Sequence, residues 1–292
     1  MWEAALRDYV VIEIYRLMGM DWQSLCFGPC LLRMTNPVNI DHERLKNLTS
    51  EWFVTLKCDG HRLLLVVVSF SGRRYKVSLD RSCNFDIIEN LVITEHDKHN
   101  GIEFALDCEK IEHNLICHDV LVFERVPVLF RDFCRRLKYI YKVVEYPFLP
   151  KPKKFFPIGN IDMVKDDTKS DGFIFIHCNF QFTPGQSSQL LKWKPMNRIS
   201  IDLFVKQDRK VYAVSKGQYV QFSQPIREYE LSLEECADQI IEFFFDGSAW
   251  FPALIRSDKN TANNLHVVIE TVRSAQQPVT RDELVNKCKL LR

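Results

Sequence analysis

Lys57-Cys58-Asp59-Gly60-His61-Arg62 is the stretch on which the reading of this 292-residue chain turns. Residues 52–57 before it have strand character, and residues 61–70 after it resume as an apolar, β-branched run. Cys58-Asp59-Gly60 supplies the turn between them. A lysine at the end of an apolar strand, aimed into a cleft by such a turn, can serve as a nucleophile. At the ordinary lysine pKa of about 10.4, roughly one amine in a thousand is neutral near pH 7. The nucleophile therefore needs neighbouring cations or desolvation to shed its proton. Taken alone, the segment is moderately specific, and the alternative is a β-hairpin with an exposed lysine.

Further segments follow in order along the chain. Ser78-Leu79-Asp80-Arg81 ends a strand, and Leu106-Asp107-Cys108-Glu109 places two carboxylates two residues apart, on one side of an extended strand. Leu115-Ile116-Cys117-His118-Asp119 is a buried strand with a flat ring near its end. Ser170-Asp171-Gly172-Phe173-Ile174-Phe175 brings another carboxylate to a turn entering a strand. Leu191-Lys192-Trp193-Lys194-Pro195 puts two lysines on one strand face and the indole on the other. Arg256-Ser257-Asp258-Lys259 lies further on. Two lysines sharing a face are commonly just solvent-facing. Beside a lysine nucleophile, carboxylates and arginines they form a phosphate clamp.

The rest of the chain is that of a globular protein: 46% apolar, 26% charged, and 39 basic against 38 acidic side chains for a net charge of +1. That composition excludes a disordered tail, a collagen and a coiled-coil rod. The longest apolar run, residues 63–68, has six residues, against the roughly 20 of a membrane-spanning helix. Residues 1–20 read as an amphipathic helix with Leu6, Val10, Ile14 and Leu17 on one face, not as a signal peptide. A soluble intracellular protein without membrane contact is expected. The ten cysteines lack paired zinc spacing and read as free buried thiols, with a chelating cluster at His113, Cys117 and His118 as the alternative. Residues 125–154 hold nine basic and two acidic side chains, while residues 228–246 hold seven carboxylates and neither Lys nor Arg. That asymmetry reads as a polyanionic partner on one side or as a solvated helix face around residues 131–142.

The coarse architecture is α+β: a mixed, strand-rich domain over residues 1–203, then a small β-barrel-like module with closing helices over residues 204–292. The last helix starts at Thr280 with Glu283 three residues on, a capping box.

The ordered motifs resemble those of eukaryotic-type mRNA capping guanylyltransferases, within the covalent nucleotidyltransferase superfamily shared with ATP-dependent ligases. The resemblance runs from about residue 36 to residue 283. It rests on Asn36-Pro37-Val38, Lys57-x-Asp59-Gly60-x-Arg62, Asp171-Gly172-Phe173-Ile174-Phe175 and Leu191-Lys192-Trp193-Lys194-Pro195. Trp250, Arg256, Asp258, Lys259 and Pro278-Val279-Thr280 carry its C-terminal part. Asp-Gly at 171–172 and the Lys-Trp-Lys-Pro run resemble capping enzymes more than DNA ligases. The resemblance implies a nucleotidyltransferase domain with antiparallel sheets followed by an OB-fold module. It also implies a ping-pong reaction in which Lys57 attacks the α-phosphate of GTP and the lysyl-GMP passes to 5′-diphosphate RNA.

By the same resemblance, Lys192 and Lys194 would neutralise the α-phosphate and favour the neutral amine of Lys57. Glu109 and Asp171 would position Mg²⁺ (or Mn²⁺) or the ribose. Arg62 and Arg81 would contact the ribose, and His118 would stack on guanine. Asp59, Lys169, Arg256, Asp258 and Lys259 would complete the nucleotide site. Four features depart from the family pattern: Cys108 for a glycine, His118 for Phe or Tyr, Leu254 for an arginine, and a short barrel. A stand-alone guanylyltransferase is implied, nuclear, working with a separate RNA 5′-triphosphatase and docking on the phosphorylated C-terminal repeats of RNA polymerase II. An ATP-dependent polynucleotide ligase and a catalytically weak, transcription-linked scaffold are the alternatives.

Overall fold

The apolar run after the turn is buried on both faces. In the computed structural model, which describes residues 2–21, 32, 34–92, 99–165, 170–229 and 231–292, this run is strand β3 (His61–Phe70). Its side chains alternate between two cores. Leu64, Val66 and Val68 pack with Leu6, Val10 and Ile14 of helix α1 (Trp2–Leu17), whereas Leu65 and Val67 pack with Phe104, Leu106 and Val120. A strand covered on both sides needs apolar residues at every position, which is why this one shows no polar alternation.

Around β3 a seven-stranded sheet is built in the order β5 (Phe85–Leu91), β4 (Arg73–Leu79), β3, β6 (Gly101–Ile111), β7 (Asn114–Phe123) and β8 (Val126–Pro127). Strand β9 (Lys151–Pro152) pairs with β7. A second, five-stranded sheet has the order β1 (Thr35–Asn39), β12 (Gly185–Trp193), β11 (Ser170–His177), β2 (Trp52–Cys58) and β10 (Phe156–Pro157). Most pairings in both sheets are antiparallel; β1–β12 and β7–β9 are parallel. Phe53, Ile174, Ile176 and Leu190 of the second sheet join the core they share with β3, β6 and β7. Helix α3 (Phe133–Lys142), capped by the Asp132 side chain, supplies Phe133 and Ile140 to that core.

The other face of the second sheet packs Val54, Phe173, Phe175, Leu191 and Trp193 against Leu45 of helix α2 (His42–Lys46) and Leu284 and Cys288 of helix α5 (Arg281–Lys289). The expected capping box of Thr280 and Glu283 opens α5. The last helix therefore belongs to the core of the second sheet although it follows all the strands in sequence.

Between β12 and α5 in sequence comes a five-stranded antiparallel sheet, β15 (Gln218–Gln221), β14 (Val211–Ser215), β13 (Ser200–Val205), β16 (Gln239–Phe245) and β17 (Trp250–Ile255). Ile201, Leu203, Val205, Phe243 and Trp250 form its core with Val268 and Ala275 of helix α4 (Leu265–Gln276). The expected barrel module is present as an open sheet. Among the described residues β15 and β17 do not pair, and one parallel bridge, Ile226–Trp250, links the segment after β15 to β17. The expected boundary between residues 203 and 204 falls inside β13.

Cys108, Cys117, Cys236 and Cys288 are free and buried, as expected; Cys58, Cys134 and Cys178 are free but half-buried, and Cys83 is instead disulfide-bonded. Among the described residues no helix is long and apolar enough to cross a membrane.

Candidate active site

The two large sheets share a core at one end and part into a cleft at the other. Along β2, Phe53 faces the shared core; Lys57, four residues on, is on the same face and opens into the cleft. On β12 Leu190 does the same and Lys192 follows it, while Leu191 and Trp193 point to the opposite core. The face that carries Lys57 and Lys192 is thus the core face continued past the end of the apolar contacts. Trp193 stacks on Phe173 with centroids 5.4 Å apart and donates its indole N–H to the Val279 carbonyl at 2.8 Å.

The Lys57 amine binds Asp171 Oδ2, and Lys194 Nζ lies 2.8 Å from the same oxygen. Asp171 is placed by an irregularity: β11 slips register against β2 between Ser170 and Phe173. Gly172, at φ +112°, fills the slip with its Cα pressed on the Trp193 carbonyl, where any Cβ would collide. Gly60 is needed for a related reason, since a Cβ there would meet the Lys110 carbonyl at 2.5 Å. Burial, reinforced by Lys194 and Lys57, pushes the Lys192 amine down to about 8. Lys169 lies outside the described residues. Asp59 sits on the exposed turn after β2.

A second group of charges lines the cleft from the first sheet. Asp107, almost fully buried, accepts from Arg62 Nε at 2.9 Å and from its NH2, and lies 2.8 Å from His118 Nε2. Arg62 NH1 also donates to the Thr35 carbonyl at 2.7 Å. Burial works against the Asp107 carboxylate, but Arg62 and His118 outweigh it and hold its pKa well below the usual range. Burial likewise opposes the Arg62 charge and Asp107 more than restores it. Arg62, expected at the ribose, thus has all three guanidinium nitrogens engaged and fixes Asp107. His118 is held by its edge, with its ring in the cleft wall. Arg81 donates to Asn36 Oδ1 at 3.3 Å, presented by a turn in which Asp80 accepts from the N–H groups of Ser82 and Asn84. Burial, then Arg62, lowers its pKa.

Glu109 faces the cleft with Lys153 Nζ 3.8 Å away. Lys153 was visible in the sequence only as one cation of the basic segment, and no local signal marks it. That segment divides three ways. Lys153 is buried beside the cleft. Arg136 is fully buried in a two-pronged pair with Asp119, at 2.8 and 2.9 Å. Arg131, Arg135, Lys138 and Lys142 belong to the solvent side around α3. The alternative chelating cluster does not form: Cys117 is buried against Cys108 while His118 turns to Asp107.

Across the cleft stand Arg256, Asp258 and Lys259, lining the same cavity of about 1460 Å³ as Lys57. Arg256 binds Asp258 through Nε and NH2 at 2.8 and 2.7 Å, and Asp202 at 2.9 Å; Lys259 also binds Asp202. The bond to Arg256 draws the Asp258 pKa down to about 2. Asp202, on β13, organises both cations and was missed in the sequence because it lies more than fifty residues from them. Leu254 is exposed.

The chain belongs to the mRNA capping enzyme family. Residues 32–196 match the family's "mRNA capping enzyme, catalytic domain" and residues 175–285 its "mRNA capping enzyme, C-terminal domain". The mRNA-capping enzyme of Danio rerio is 24% identical over 86% of this chain and 49% of its own length. The mRNA-capping enzyme subunit alpha of Schizosaccharomyces pombe is 22% identical over 88% of this chain and 80% of its own length. The chain thus spans about half the length of the Danio rerio relative. A mycobacterial DNA ligase D complexed with ATP and MES is a remote structural neighbour, with TM-score 0.45 and 12% identity over 77% of this chain and 95% of that one.

Proposed function

We propose that this chain is an mRNA guanylyltransferase, transferring GMP from GTP through a lysyl-GMP intermediate to the 5′-diphosphate end of RNA. The observation that carries the reading is the placement of Lys57 on one carboxylate with Lys194, beside the half-buried Lys192, with Lys57 lining a cleft faced by Arg256 and Lys259.

In the first step the Lys57 amine, after losing a proton, forms an N–P bond to the α-phosphorus of GTP while the Pα–O–Pβ bond breaks and pyrophosphate leaves. Lys192 and Lys194 place positive charge where negative charge builds on the α-phosphate. Asp171 orients the nucleophile and Lys194 through one oxygen. Displacement at phosphorus is in line, so the leaving pyrophosphate must be held opposite the amine. Arg256 and Lys259 suit that task, exchanging Asp258 and Asp202 for phosphate oxygens as the small sheet closes on the nucleotide. In the second step a terminal β-phosphate oxygen of the RNA attacks the same phosphorus and Lys57 leaves as the amine. Arg81 and His118, in the cleft wall, serve the ribose and the base.

Glu109 and Asp171 offer only carboxylate oxygens, which fit Mg²⁺ or Mn²⁺, and either ion would supply charge neutralisation at the phosphates. Action in the nucleus, with an RNA 5′-triphosphatase and the phosphorylated C-terminal repeats of RNA polymerase II as partners, is part of this proposal; support comes from the eukaryotic relatives named as capping enzymes.

The test is incubation with Mg²⁺ and α-labelled GTP or ATP. A covalent, acid-labile label from GTP alone is expected. Label from ATP alone would make the chain a ligase, and label from neither would leave a scaffold.

A further inference from the structure

At the end of the β2–β11 pair remote from Lys57, three segments bring together sulfur, nitrogen and oxygen donors. Glu51 precedes β2, His177 and Cys178 follow one another where β11 ends, and Cys134 stands in the first turn of α3. Ligand atoms of Glu51, His177 and Cys178 all lie within 4.8 Å of one another. The Cys178 thiol is 3.8 Å from Glu51 Oε1 and 4.0 Å from His177 Nδ1. The Cys134 thiol interacts with that of Cys178, and the Cys134 N–H donates to the Cys178 carbonyl at 3.1 Å. The nucleotide chemistry described above uses none of these residues.

We propose that Glu51, His177 and Cys178 form a structural site for a divalent transition metal, with Zn²⁺ as the best match and Cys134 turning in from its contact with Cys178 as the fourth ligand. A thiolate, an imidazole and a carboxylate already lie close together, and the second thiolate would complete the donor number and softness that tetrahedral Zn²⁺ takes. The imidazole is arranged for it. His177 Nε2 lies 3.6 Å from Glu51 Oε2, so the tautomer with the proton on Nε2 faces a carboxylate and leaves the Nδ1 lone pair on the side of the Cys178 sulfur. That lone pair accepts the Asn179 N–H at 3.2 Å, and a metal ion would replace this contact. The Trp52 ring, packed edge-on at 5.1 Å from the imidazole, restricts its rotation. Nucleophile and metal site sit at opposite ends of β2, since Trp52 pairs with His177 and Cys58 with Ser170. Five residues at about 3.4 Å each put them roughly 17 Å apart. The ion would therefore clamp α3 to the sheet and take no part in phosphoryl chemistry, so the inference stands or falls separately from the proposed function.

The experiment is titration of the chelator-treated full chain, with its Cys83 disulfide intact, with Zn²⁺ against a chromogenic chelator, and in parallel with Co²⁺. One ion per chain is expected, with Co²⁺ giving the visible bands and thiolate charge-transfer absorption of a tetrahedral sulfur-bearing site. Cys178→Ser and Cys134→Ser should each weaken binding at least ~10-fold, while Cys236→Ser, a buried thiol elsewhere, leaves it unchanged. Alkylation followed by mass spectrometry needs no variant: Zn²⁺ should protect Cys134 and Cys178 but not Cys58. Absence of stoichiometric uptake, uptake indifferent to Cys178→Ser, or alkylation of both thiols unaffected by Zn²⁺ would each overturn the proposal.

Discussion

Lys194 Nζ lies 2.8 Å from the Asp171 oxygen that also binds the Lys57 amine. One carboxylate thereby sets the distance between the proposed nucleophile and a phosphate-binding cation, and the Gly172 slip in β11 sets the carboxylate. The consequences of that arrangement differ for each lysine.

Lys57→Ala and Lys57→Arg should both eliminate the covalent GMP adduct. Arginine retains the charge and can still pair with Asp171, but it stays protonated at any working pH and cannot attack phosphorus. Electrophoresis after incubation with labelled GTP reads the result; adduct on either variant, mapped to another lysine, would move the nucleophile.

Lys192→Met should slow adduct formation at least ~100-fold, with a much smaller change in GTP affinity. It should also stabilise the fold. The Lys192 pKa falls to about 8 through burial and the neighbouring Lys194 and Lys57, so the folded state disfavours its charged form. Below pH 8 the penalty is fully present. Between about 8 and 10.4 the unfolded chain binds more protons, and stability rises with pH as the penalty fades. Urea unfolding at pH 7 should place the variant above the parent by on the order of 1–3 kcal/mol. The gap should shrink as pH approaches about 10. A gap independent of pH would refute the electrostatic cause.

Asp107→Asn removes the partner of a buried guanidinium and should cost about 3–5 kcal/mol at neutral pH. The Asp107 pKa is held below its unfolded value, so its stabilising effect is complete above about pH 4 and is lost as pH falls below that. Chemical denaturation at pH 7 and pH 3 should show the difference between variant and parent narrowing in acid. Equal differences at both values would mean that packing, not charge, holds this corner.

Lys259→Ala should block formation of lysyl-GMP yet spare GMP transfer to diphosphate RNA, because its proposed load is the pyrophosphate of the first step. Enzyme guanylylated before the change, made by semisynthesis, separates the two steps. A variant that forms the adduct normally but cannot transfer it would turn the small sheet into an RNA-binding element.

Much of the site was legible in local sequence because its geometry is local. Strand alternation alone puts Lys192 and Lys194 on one face and Trp193 on the other, and the Cys58-Asp59-Gly60 turn ends β2 just beyond Lys57. The helix of residues 2–17, the helix near Asp132 and the capping box at Thr280 were equally readable, since periodicity and caps are short-range properties. Strands β5, β6 and β17 were read only in part or not at all. Irregular pairing interrupts each: register shifts that skip Ile88 of β5, Glu103 of β6 and Ala253 of β17 break the alternation that a sequence pattern needs.

What the sequence determined by itself is the list of candidate side chains, their order, and the face of each strand on which they stand. Partners were decided by tertiary structure alone. Arg62 closes on Asp107, 45 residues away, and Arg256 on Asp202, 54 residues away. Arg136, indistinguishable in sequence from the exposed cations of its helix, is buried on Asp119. Helix α5 joins the core on the outer face of the second sheet, beside α2 from far earlier in the chain. Ion pairs and core contacts depend on which strands lie side by side. That choice is made by burial of apolar surface over the entire molecule, and no single stretch of sequence records it.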